Sequence, residues 1–163
     1  MAQPYTKTQI SLHWLIFLFI ALQYLGHEAI AQAWEKLSRG EAIPFDPLVL
    51  GHVFLGGLIF LMVLMRIAAR LRHGAPALPE EEPAAMRMLA QLTHLGLYVL
   101  MIAMPVSGAV AWFFRNEAAG EAHEVMRVLL LALVLLHVVG ALYHQFVLKT
   151  NVMARMKRPG GEA

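Results

Sequence analysis

Four apolar runs, at 10–27, 48–69, 89–114 and 123–148, restrict this 163-residue chain more than any other feature. Each is close to the ~20 residues that carry a helix across a bilayer. In hydrocarbon every backbone N–H and C=O must be satisfied within the segment, so such runs fold as helices. Only 15% of the residues are charged and 59% are hydrophobic, whereas an ordinary soluble domain carries about 25% charged residues. The first run is kept as a span. Before it, residues 1–8 hold a single Lys, and Tyr24-Leu25-Gly26-His27 is a poor cleavage pattern for a secretory signal. The expectation is an all-α integral membrane four-helix bundle embedded in the lipid bilayer, with residues 1–163 forming one domain.

The connectors carry the punctuation. Between 28 and 46 charges return, and Pro44 and Pro47 close a loop long enough for an extension of the first helix or a short surface helix. The 71–83 connector contains three prolines and the acidic run Glu80-Glu81-Glu82, which reads as a solvated helix start with Pro83 at the first helical position. Pro105 falls inside the third span and should kink it or locally interrupt its hydrogen bonding, with Ser107 and Gly108 permitting close packing. Residues 116–120 read as a short turn, and the last helix then runs from about Glu121 to Leu148.

With four crossings, the termini share a side with the 71–83 connector. That side holds Lys7, Arg66, Arg70, Arg72, Arg87, Lys149, Arg155, Lys157 and Arg158, nine basic residues against four on the other side. The positive-inside rule then puts both termini in the cytoplasm. A formal net charge of +2 gives no reason to expect a nucleic-acid partner.

Topology assigns each histidine a depth. His123 and His137 are fourteen residues apart on the last helix, which rotates one about 40° from the other and separates them by roughly 21 Å along the axis. His52, near the outer start of the second span, shares the level of His123. His13, about two turns into the first, shares the level of His137. Two neutral imidazoles facing each other across a bundle are the axial ligands expected of a b-type haem. The competing reading, that each bonds to nearby backbone or hydroxyl groups, is as good for any lone histidine but weaker for four at paired depths. The chain has no cysteine, which excludes thiolate sites and covalent c-type attachment. Zinc would need three or four ligands converging at one depth, and there is no HExxH motif.

His94 lies roughly 16 Å into the third helix, near the inner level. It is an alternative ligand to His13, or a pocket residue bonding to a propionate. His144 lies seven residues past His137 on nearly the same face, and with Lys149 it could hydrogen-bond a quinone carbonyl. His27 and His73 fall in connectors and read as surface residues. Gly51, Gly56, Gly57 and Gly140 admit either a flat macrocycle or close helix packing, and Arg66 and Arg70 are either topology determinants or propionate partners. The ten methionines read as flexible packing.

Taken together these residues resemble the bacterial cytochrome b561 family. The resemblance rests on the opening Tyr5-Thr6-Lys7-Thr8-Gln9-Ile10-Ser11-Leu12-His13-Trp14, on Gly51-His52-Val53 followed by Met65-Arg66, and on His94, Tyr98 and Ala103-Met104-Pro105-Val106-Ser107-Gly108. It continues in Ala122-His123-Glu124, His137, His144 and the tail Lys149-Thr150-Asn151 with Arg155-Met156. It implies an inner-membrane di-haem cytochrome with two haems b between the helices, His13 and His137 holding the inner iron and His52 and His123 the outer. It also implies electron exchange with ubiquinone and, in some members, oxidation of superoxide at the periplasmic face. Against superoxide stands the loop charge on that side, where four basic residues face seven acidic ones for a net of −3, since an anion is steered by a positive field. The alternative is a non-enzymatic membrane-anchor subunit relaying electrons for a soluble or periplasmic redox partner.

Overall fold

Six helices follow one another in a computed structural model that describes residues 4–74, 76, 83–150 and 152–159. They are α1 (Lys7–Leu25), α2 (His27–Ser38), α3 (Pro47–His73), α4 (Ala84–Phe114), α5 (Glu117–Phe146) and α6 (Val152–Arg155). Among the described residues, α1, α3, α4 and α5 are long and apolar enough to cross a membrane.

Local chemistry places each boundary. Thr6 and Gln9 form a reciprocal capping box that satisfies two N-terminal donors of α1. Gly26 ends α1 and the amphipathic α2 begins at once, with Glu28 in its first turn and Lys36 in its last. Asp46 accepts from the Leu48 amide at 2.7 Å and Pro47 opens α3. Arg70, Arg72 and His73 then complement its C-terminal dipole before Gly74, at φ 71°.

Pro83 is the N-cap of α4 and not its first helical residue; the run 80–82 lies outside the described residues. Helix α4 continues through Pro105 and stops at Arg115, whose left-handed φ of 51° reverses the chain. No turn spans 116–120, because the Asn116 side chain caps the Ala119 amide at 2.9 Å and α5 starts at Glu117, four residues early. At its other end α5 closes at Phe146 rather than Leu148.

The core lies between α1, α3 and α4, where Leu12, Ile16, Ile59, Met62 and the fully buried Val63 meet Tyr98 and Met101. Close packing runs α1 on α3, α3 on α4, and α4 on α5. Neither α1 with α5 nor α3 with α5 is a closely packed pair. Most large apolar side chains point outward, as a lipid-facing surface requires.

The bundle has two chemically distinct ends. The basic end gathers the starts of α1 and α4, the ends of α3 and α5, and α6. There Gln9 Nε2 donates to Gly74 O and Trp14 Nε1 to Met156 O. The acidic end carries α2, the starts of α3 and α5, and every described Asp and Glu.

Candidate functional site

The histidines gather at two levels. At the acidic end the rings of His52 (α3) and His123 (α5) have centroids 6.5 Å apart. Toward the basic end His13 (α1) and His137 (α5) stand at 6.1 Å. His94 (α4) joins the second group, 5.1 Å from His137. Each 6 Å pair thus spans two helices that do not pack closely on each other.

An imidazole nitrogen binds a first-row metal at about 2.0–2.1 Å and lies roughly 1.1 Å from its ring centre, so two rings on opposite sides of one ion stand about 6.3 Å apart. The separations of 6.1 and 6.5 Å fit one iron between each pair, and the 5.1 Å of His94 with His137 is tighter than that spacing. Among the described residues no three His, Asp or Glu side chains cluster to hold a bare metal ion.

Hydrogen bonding supports the same fit. His123 Nδ1 lies 3.0 Å from Met104 O and 3.2 Å from Ser107 Oγ. Donation of Nδ1–H to the carbonyl would leave Nε2 available to a metal, the usual arrangement around a metal-bound histidine. His94 Nδ1 meets Ala90 O at 2.7 Å in the same way, so His94 too has Nε2 to spare. His52 Nδ1 is buried with no hydrogen-bond partner, an orphan that a buried polar group tolerates poorly. Its backbone is held instead, since Gln23 Nε2 donates to His52 O at 3.0 Å.

A cavity of about 520 Å³ opens beside His52 and His123, within the range of small-molecule and cofactor sites. Gly56 and Gly57 line it. A Cβ at Gly57, Gly51 or Gly140 would meet no protein atom within 4 Å, and at Gly56 only the Gln23 amide at 3.5 Å. Gly51, Gly57 and Gly140 therefore leave space, while Gly56 lies in van der Waals reach of Gln23 on α1. Contact falls to others: a Cβ at Gly108 would come within 3.1 Å of the His123 ring, and at Gly120 within 2.7 Å of Trp34.

Sequence reasoning missed the roof of this cavity. His27, read as a surface residue, is the first residue of α2 and lines the space, 3.7 Å from Glu124. Ile30, Ala31 and Trp34 follow on the same face, the i, i+3, i+4, i+7 pattern that was visible in the sequence. Tyr24 donates to Arg127 O at 2.6 Å, tying α1 to α5. At the basic end His144 Nδ1 lies 2.9 Å from Thr150 Oγ1, in the turn that carries Lys149 at φ 55°. His73 is exposed at the end of α3.

Residues 4–159 match the family described as prokaryotic cytochrome b561. The chain is 32% identical over 158 residues to a cytochrome b562 of Cereibacter sphaeroides, covering 95% of this chain and 96% of the relative. It is 27% identical over 175 residues to cytochrome b561 homolog 1 of Escherichia coli, covering 93% and 96%. It is also 26% identical over 180 residues to the probable superoxide oxidase CybB of Yersinia pestis, covering 96% and 97%. With four membrane-length helices, paired imidazoles and this match over nearly its whole length, the chain belongs to the prokaryotic cytochrome b561 family, a membrane electron-transfer family whose members carry haem b.

Proposed function

We propose that this protein carries electrons between a donor at its acidic end and ubiquinone at its basic end, through two b haems. His52 and His123 hold one haem, and His13 and His137 hold the other. The observation that carries this reading is the pair of imidazole separations, 6.5 and 6.1 Å, each bridging helices that do not pack closely. The nine basic residues at one end against four at the other support an inner-membrane orientation with both termini in the cytoplasm.

Each haem, when bound, supplies one-electron exchange at an iron whose potential the surrounding protein sets. The chain's own residues do the rest. Met104 O holds the tautomer and orientation of His123, and Gln23 anchors the turn of α3 that carries His52. Trp34 and its neighbours on α2 cover the acidic-end cavity against water. At the basic end Thr150 orients the His144 ring next to Lys149, offering an imidazole and an ammonium to a quinone carbonyl and to the proton its reduction requires. His94 sits beside His137 as a pocket residue.

For the donor, the name of the Yersinia relative makes superoxide one reading. The acidic end favours a second, reduction by a soluble partner with a basic surface, because two of its four basic residues are tied to acids. Arg39 pairs with Glu35 at 2.6 Å and Arg127 with Glu124 at 2.9 Å, leaving little positive field to steer an anion. Purified protein exposed to a superoxide-generating system, with haem absorbance and ubiquinone reduction followed together, separates the two. Rapid haem reduction abolished by superoxide dismutase supports the oxidase reading; oxidised haems that respond only to an added protein donor support the relay. Loss of quinone-dependent reoxidation in His144→Ala, with haem content intact, is the outcome expected for the quinone site.

A further inference from the structure

Resting on the ligand reading above, we propose that Arg66 sets the direction of electron flow, by holding a positive charge that pairs with no described carboxylate beside the His13–His137 site and makes that site the stronger electron acceptor of the two.

Arg66 lies on α3, inside a membrane-length helix, where a guanidinium is costly and is retained for a reason. Its Nη1 donates across the helix boundary to Gln9 O at 2.5 Å. In an α-helix the carbonyl of residue 9 is the acceptor for the amide of residue 13. The charge is therefore fixed on the carbonyl that also accepts from the His13 amide, four residues or about 6 Å of helix rise before the ligand.

The acidic end has a matching arginine with the opposite treatment. Arg127 lies one turn beyond His123 on α5, but Glu124 takes it through two contacts, Nε at 3.0 Å and Nη2 at 2.9 Å. His27 and Arg39 are likewise paired with carboxylates at that end. Among the described residues no Asp or Glu stands at the basic end, and none pairs with Arg66. Each histidine pair thus has an arginine about a turn from one ligand, paired with a carboxylate in one case and, among the described residues, with none in the other.

Adding one electron to a site removes one unit of positive charge there. A fixed neighbouring cation favours that reduced form, and between helices in a bilayer the effect is weakly screened. Arginine does not lose its proton, so the bias is permanent. The electron balance is simple: the acidic-end site is oxidised by one electron as the basic-end site is reduced by one. The electron moves from the acidic toward the basic end, and onward to quinone.

The test is an anaerobic redox titration of the purified full-length protein followed by haem absorbance. His52→Ala leaves the basic-end haem alone, and His13→Ala leaves the other. The His52→Ala protein is expected to be easier to reduce than the His13→Ala protein by at least tenfold in equilibrium constant, about 59 mV for one electron. Arg66→Gln in the His52→Ala background should lower that constant at least threefold, whereas Arg66→Lys should leave it within twofold. An unchanged potential in Arg66→Gln overturns the proposal. So does an equal fall in Arg66→Lys, which would mark a purely structural role, and so does the reverse order of the two sites. If Arg66→Gln fails to fold, the order of the two sites and the Arg66→Lys result decide. Failure of the ligand reading is distinct: it appears as two haems retained in both single-histidine variants, and the effect of Arg66→Gln in the otherwise unchanged chain then decides the role of Arg66.

Discussion

Gly57 is the residue at which structure and function separate most clearly. A side chain there meets no protein atom within 4 Å, yet the position lines the cavity beside His52 and His123. Gly57→Leu is therefore expected to leave membrane insertion and helix content unchanged, while lowering haem content from two per chain toward one. Pigment absorbance per mole of protein and far-UV circular dichroism read the two effects separately. Gly120→Ala should do the reverse kind of damage. Its Cβ would stand 2.7 Å from the Trp34 ring, so α2 must lift from α5. Protease cleavage within 27–46 is expected to quicken several-fold, with haem content less affected. Of the histidines, depth was legible from sequence because rise per residue and topology fix it. The sideways direction of each ring was not, which is why His94 could be placed at the level of His137 but not distinguished from His13 as its partner. In the structure the His13 and His94 rings stand 6.1 and 5.1 Å from that of His137, and the proposed pairing rests on the wider separation.

Among the elements, the four long helices follow directly from the apolar runs, and their polar ends follow from capping chemistry. Pro47, read from sequence as closing a loop, opens α3 in the structure, with Asp46 capping the Leu48 amide. Asp46→Ala should cost about 1 kcal/mol, a typical N-cap loss, read as a lower unfolding midpoint of the detergent-solubilised protein. The start of α5 was missed because Asn116-Glu117 looks like turn chemistry until the Asn116 side chain is seen to cap the Ala119 amide. His27 was missed for a related reason. Gly26 breaks the helix axis, so the residue after it reads as a connector, although it opens α2 and faces the cavity. Helix α2 itself announces its buried face through His27, Ile30, Ala31 and Trp34. What sequence could not supply is the element beneath it, because an amphipathic helix covers a membrane interface and a protein cavity with the same pattern.

At the scale of the molecule, the loose approach of α5 to α1 and α3, bridged by histidine rings and the Tyr24–Arg127 hydrogen bond, matters more than any close packing. A bundle that closed on itself would bury those faces against each other; here the chain presents imidazoles across the gaps. By the positive-inside rule the charge asymmetry between the ends predicts a cytoplasmic basic end, and the lack of native cysteine makes this measurable. In spheroplasts, a cysteine replacing Lys36 should react with a membrane-impermeant maleimide, and one replacing Lys157 should react only after lysis. The reverse pattern would invert the topology. The central claim is that the paired imidazoles are haem ligands, and haem stoichiometry tests it most directly. The intact chain should bind two b haems, His13→Ala, His52→Ala, His123→Ala and His137→Ala one each, and His94→Ala two. Loss of a haem in His94→Ala with both retained in His13→Ala would contradict the pairing at the basic end, and an intact chain without haem would contradict the account as a whole.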